Sequence, residues 1–263
     1  MSTGADNGGA PRFASVSDQA PSTARAELLS FEEVTARVDA APIAYLPLGT
    51  LEFHQAHLPI GLDSLTGHGV CLGAAERTGG IVLPPVYQGF GGSHGPYPWT
   101  IMMNGDAVLA GMLTATLSRL EELGVRRGVI FSGHYAPEQL AFIDRFQREW
   151  NAEPGHALDV VSTAVNRCAA SPFEQDHAGV FETTLLAGLY PDLVHVDRLP
   201  SAASHPGEDP GGDPHGPHRH DPAHPLWGIF GQDPRAAELS RGPELVEILS
   251  GWLASVAVVT PVI

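Results

Sequence analysis

Short apolar runs separated by stretches of helical periodicity constrain this chain more than any other feature. Ile43-Ala44-Tyr45-Leu46, Ile81-Val82-Leu83, Gly128-Val129-Ile130-Phe131 and Leu158-Asp159-Val160-Val161 have the length and apolar character of buried strands. Between them, Leu65, Val70, Cys71, Leu72 and Ala75 predict a helix from Asp63 or Ser64 to Gly79-Gly80. Val108, Leu109, Met112, Leu113, Leu117 and Leu120 predict a second over 106–123, stopped by Gly124. Pro137 opens a third, through Leu140, Phe142, Ile143 and Phe146 to about Trp150. Strands over 42–47, 81–83, 128–131 and 158–161 alternating with such helices predict an α/β domain, doubly wound on a mainly parallel sheet. Ser30 and Glu33 predict a capping box for a helix from Phe31 to about Val38. Further helices are expected from Asp176 through Leu189 and from Pro243 through Leu245, Ile248, Leu249 and Trp252.

Size and charge exclude several functions. A chain of 263 residues with 43% hydrophobic and 17% charged residues buries one large core. With 14 Lys+Arg against 30 Asp+Glu, its net charge of -16 repels nucleic acid and anionic membranes. Two cysteines, Cys71 and Cys168, are too few for a disulfide framework. No basic start leads into an apolar run, and no stretch approaches the ~18 apolar residues of a membrane span. A soluble, cytoplasmic protein is expected. Residues 1–26, rich in Ser, Ala, Gly, Asp and Pro, are expected to be disordered, leaving 27–263 as a single domain. Within it, residues 200–225 interleave His205, His215, His218, His220 and His224 with Pro and Gly, which predicts an irregular loop or lid.

The chemistry concentrates where the first strand ends. Glu52, His54, His57 and Asp63 are four potential metal ligands within twelve residues, framed by Gly49 and Pro59. Side chains at the C-terminal edge of a parallel strand face the crevice in which open α/β sheets bind ligands. Burying carboxylates with imidazoles costs several kcal/mol unless a cation or a hydrogen-bond network compensates. A mixed oxygen and nitrogen set suits Zn, Mn or Fe better than Ca or Mg. The strand at 128–131 repeats the arrangement, running into Ser132-Gly133-His134-Tyr135. A Gly- and aromatic-rich loop over 88–100 carries Ser93, His94 and Trp99 and is long enough to be functional.

Three separated motifs carry a resemblance: Pro47-Leu48-Gly49-Thr50-x-Glu52-x-His54-x-x-His57-Leu58-Pro59 with Asp63, then Gly133-His134, then His177-Ala178-Gly179-x-x-Glu182-Thr183. In order and spacing they resemble the creatininase (creatinine amidohydrolase) family over most of residues 42–197. The resemblance implies a three-layer α/β/α sandwich, a site for two divalent metal ions and a homo-oligomer, commonly a hexamer. Zn is the first expectation for the metal, with Mn or Fe as alternatives. Glu52 and His134 would hold one ion, His54 the other, and Asp63 would bridge them. The fifth ligand would be Glu182 of the third motif, with Glu138 as the fallback, because creatininase itself has a Glu where this chain has Ala136. His177 resembles the catalytic histidine, and Tyr135, Ser93, His94 and Trp99 fall where substrate contacts are expected. Phe53 and Gln55 stand where the family usually has Gln and Gly, and Trp99 also departs from its pattern.

The implied activity is hydrolysis of a non-peptide C–N bond in a small cyclic amide or formamide, by attack of a metal-bound hydroxide, with His177 passing a proton to the leaving atom. The family also includes peptide-trimming enzymes and hydrolases of cyclic ketones, so a short peptide or a sugar-derived ring is the alternative substrate. A metal-binding scaffold without catalysis is the alternative of another class.

Overall fold

The computed structural model describes residues 24–206 and 217–258. Its sheet consists of β1 (Ile43–Leu48), β2 (Ile81–Val82), β3 (Arg127–Ser132) and β4 (Asp159–Ala164), all paired in parallel in the order β2-β1-β3-β4. Each parallel pair requires a crossover, and the helices α2 (Leu62–Thr78), α3 (Ala107–Glu122) and α4 (Pro137–Ala152) supply them. The other helices are α1 (Phe31–Ala40), α5 (Val180–Leu189), a four-residue turn α6 (Pro217–His220) and α7 (Gly242–Val258).

Strand alternation divides the core in two. Tyr45, Val129 and Phe131 point to one face, where Val70 and Cys71 of α2, Phe181 and Leu185 of α5, and Leu245, Leu249 and Leu253 of α7 cover them. Ala44, Leu46, Ile130 and Val160 point to the other, against Val38 of α1, Leu113 and Leu117 of α3, and Phe142 and Ile143 of α4. The result is the expected three-layer α/β/α sandwich.

The strand order places a switch point between β1 and β3. The chain leaves β1 for α2 on one face and leaves β3 for α4 on the other, so the loops after these two strands part and open a crevice. Two glycines let α2 begin at the rim of that crevice. A Cβ at Gly49 would lie 2.3 Å from the Ser64 nitrogen, and one at Gly133 would lie 1.9 Å from the Asp63 carbonyl oxygen. Only hydrogen in place of a side chain permits that approach.

Two boundaries differ from the sequence expectation. Ala24 and Arg25 belong to the fold: Ala24 is buried, its carbonyl accepts the Val82 amide at 2.8 Å, and Arg25 bridges to the sheet edge at Val82. The remainder of the segment expected to be disordered, residues 1–23, lies outside the described residues, as does 207–216 of the His-rich stretch. The helix expected from Asp176 starts only at Val180, because the Asp176 carboxylate accepts the amides of Gly179, Phe181 and Glu182 and ends the irregular turn before it. The predicted capping box at Ser30 is present, with Glu33 accepting the Ser30 amide at 2.7 Å.

Candidate metal centre

Glu52 and His54 sit on the loop after β1, Asp63 in the first turn of α2, His134 just beyond β3, and Glu182 in the first turn of α5. All five are buried, and they converge on one point of the crevice. Asp63 lies between two sets: its Oδ2 is 3.1 Å from His134 Nδ1, and its Oδ1 is 3.2 Å from His54 Nε2. Glu52 Oε2 joins the first set at 3.1 Å from His134 Nδ1, and Glu182 Oε2 the second at 3.4 Å from His54 Nε2.

The second nitrogen of each imidazole fixes its tautomer. His54 Nδ1 donates to the Glu52 carbonyl at 2.9 Å, His134 Nε2 to the Phe90 carbonyl at 3.2 Å, and His177 Nε2 to the Phe53 carbonyl at 2.9 Å. A carbonyl oxygen only accepts, so the neutral ring turns a lone pair inward at His54 Nε2, His134 Nδ1 and His177 Nδ1. Those lone pairs meet carboxylate oxygens. His54 Nε2 and Asp63 Oδ2 are both buried without a hydrogen-bond partner, which is costly unless a cation lies between the donors. The residues therefore fit a divalent ion of the Zn or Mn class.

Electrostatics point the same way. Burial alone would lower His54, yet Asp63 and Glu182 raise it to about 10, and Glu52 and Asp63 likewise hold His134 well above the usual histidine range against burial. Burial pushes Glu182 up to about 8, whereas Glu52, despite burial, is held well below the carboxylate range by the imidazoles around it. Without a metal the cluster takes up protons to offset its carboxylates, and a bound cation would take their place. Burial keeps His177 neutral, with its pKa well below the usual range.

Glu52, Asp63, His134, His177 and Glu182 line a cavity of about 280 Å³ together with Tyr135, His94, Arg219 and Phe230. Tyr135 donates to Glu182 Oε1 at 2.8 Å and also contacts the Asp176 carbonyl. His94 contacts Glu52 Oε1 through Nδ1, and His177 Nδ1 stands 4.0 Å from Glu182 Oε2.

Other candidates lie elsewhere. Ser93 lines an adjoining pocket with Tyr97 and Trp227, and Trp99 is 78% exposed, so neither faces the cavity. Both have left-handed backbone, with φ near 57° and 58°, which redirects their side chains. Glu138 accepts the Gly92 amide at 3.1 Å and joins no ligand group among the described residues. His57 is buried against Thr183 Oγ1 at 3.2 Å, also outside those groups. Of the His-rich stretch, His205, His220 and His224 join no ligand group among the described residues, and His215 lies outside them. Arg219 and Phe230 were missed in the sequence, since neither carries a motif or a period.

A family model described as creatinine amidohydrolase matches residues 27–257. The chain belongs to the creatininase family. It is 32% identical over 194 residues to the creatinine amidohydrolase of Pseudomonas putida, spanning 65% of this chain and 74% of that protein. It is 29% identical over 165 residues to a mycofactocin precursor peptide peptidase of Mycolicibacterium smegmatis, spanning 60% of this chain and 62% of that protein. A crystal structure of creatininase superposes with a TM-score of 0.70 at 28% identity, covering 88% of this chain and 95% of that one. Solved creatininases at 27% identity include a Zn-Zn form and a Mn form. The three motifs thus mark a member of the family.

Proposed function

We propose that this member of the creatininase family is a metal-dependent hydrolase that cleaves the C–N bond of a small cyclic amide or formamide. The observation that carries this is Asp63 standing between two buried ligand sets, with His54 Nε2 and Asp63 Oδ2 both buried without a hydrogen-bond partner. Glu52 and His134 would hold one ion, His54 and Glu182 the other, and Asp63 would bridge them. Divalent ions held there supply a Lewis acid for a carbonyl oxygen and make water a better nucleophile at neutral pH.

The chain's own groups do the rest. Water adds to the carbonyl carbon, the C–N bond breaks, and the departing nitrogen needs a proton. His177 is suited to carry it, because its Nε2 is held by the Phe53 carbonyl and its Nδ1 faces the cavity as a neutral base. The Tyr135 hydroxyl holds Glu182 in place through Oε1. Phe230 and the aromatic ring of Tyr97 flank His94 and narrow the space available to water.

The cavity of about 280 Å³ suits a small molecule or the end of a peptide. The test is a panel of cyclic amides, N-formyl compounds, lactones and short peptides, incubated with metal-loaded protein and with chelated protein. Chelator-sensitive hydrolysis of the amides or formamides is expected. Peptide cleavage alone would favour the peptidase alternative, and no turnover of any member would contradict the hydrolase.

A further inference from the structure

We propose that Arg219 is a carboxylate receptor, and that the substrate class is a small amide bearing a carboxylate a few bonds from the scissile C–N bond; this substrate assignment rests on the hydrolase function above. Arg219 is the only Lys or Arg lining the cavity among the described residues. Its guanidinium carbon lies 3.7 Å from the centre of the Phe230 ring. Phe230 in turn stacks on His94, with centroids 5.3 Å apart and planes within 10°, and His94 touches Glu52. The cation therefore sits at one end of a stack whose other end is the candidate metal centre.

No carboxylate among the described residues pairs with this guanidinium, and its Nε is buried without a hydrogen-bond partner. In a chain with 30 Asp+Glu against 14 Lys+Arg, a cation with no carboxylate partner among the described residues is a departure that stacking on Phe230 compensates only in part. A ligand carboxylate would. Stacking on Phe230 orients the guanidinium plane and leaves its fork of N–H donors to match two carboxylate oxygens.

The backbone around Arg219 is held for the purpose. The Tyr97 hydroxyl and the Trp227 indole both donate to the Arg219 carbonyl, at 3.2 and 3.3 Å. Trp227 is itself held by Phe53, with centroids 5.2 Å apart, and by the Gln55 amide, which donates to its carbonyl at 3.0 Å. Phe53 and Gln55 are the two residues that flank His54. Through Trp227 these two residues support Arg219 from the same loop that carries Glu52 and His54.

The test uses two probes that differ only in charge, N-formylglycine and N-formylglycinamide, on metal-loaded wild type, Arg219→Met and Arg219→Lys. Metal content and circular dichroism establish that the variants are intact, and calorimetry gives the affinities. The wild type is expected to bind the carboxylate probe roughly 10–100-fold more tightly than the amide. Arg219→Met should lose that preference by weakening the anion alone, and Arg219→Lys should keep part of it. Equal affinity for the two probes in the wild type, no binding of either, or equal weakening of both in Arg219→Met would overturn the proposal. Turnover of the same probes is read separately. Absence of hydrolysis with the binding preference intact would sink the hydrolase reaction and leave the carboxylate receptor standing.

Discussion

Replacing Gly133 with Ala should damage fold and metal centre together, and the structure sets the scale. The new Cβ would lie 1.9 Å from the Asp63 carbonyl oxygen and 2.8 Å from its carbon, where ordinary contact begins at 3.4 Å. Both sides are backbone. Gly133 is anchored by its amide, which donates to the Leu48 carbonyl at 2.8 Å, and Asp63 by the first turn of α2. Relief requires a displacement on the order of an ångström, and overpacking of this kind costs about 3 kcal/mol or more. In a domain of this size that lowers Tm by roughly 6–12 °C. A shift of about 1 Å at Asp63 also exceeds the ~0.2 Å tolerance of metal–ligand distances, so bound metal should fall. Gly111→Ala is the control of opposite sign. It lies in α3 with nothing within 4 Å of the added Cβ, so Ala should stabilise by about 0.5–1 kcal/mol. Differential scanning calorimetry with elemental analysis reads both effects. A Gly133→Ala protein with wild-type Tm and metal content would refute the close approach.

Other substitutions separate structural from chemical roles. His177→Ala should keep its metal and lose roughly 10²–10⁴-fold in kcat on whichever panel member the wild type hydrolyses, and full activity would remove His177 from the proton transfer. His57 is held neutral by burial, with its pKa lowered to about 3. The unfolded chain then binds a proton that the native state refuses, so this group subtracts stability as pH falls from ~6.5 toward 3, by up to ~1.4 kcal/mol per pH unit. His57→Gln should flatten that slope in denaturant titrations and leave metal content unchanged; an unaltered slope or lost metal would contradict its placement.

Most of the centre was legible because its donors follow the strand ends. Glu52 and His54 lie on the loop after β1 and His134 just after β3, where a parallel sheet exposes its crevice; their positions suggested a site, and the motif resemblance gave them their ligand roles. The preference for Glu182 over Glu138 came from the third motif, and its structural basis could not be read from spacing. It depends on Asp176, whose carboxylate delays α5 until Val180 and turns Glu182 toward His54, while Glu138 turns to the Gly92 amide. Ser93 and Trp99 were assigned from their loop, but left-handed backbone at both points them elsewhere, a property that non-glycine residues do not advertise. Arg219 and Phe230 reach the cavity only through tertiary contacts across the Trp227 turn, so no local period or motif could announce them.

The most direct test of the centre is metal stoichiometry per chain, on protein purified without a His-tag, for the wild type, Glu182→Ala and Glu138→Ala. Two divalent ions in the wild type and in Glu138→Ala, falling toward one in Glu182→Ala, is the expected result. One ion or none in the wild type, or a loss in Glu138→Ala that Glu182→Ala does not show, would contradict the paired site around Asp63.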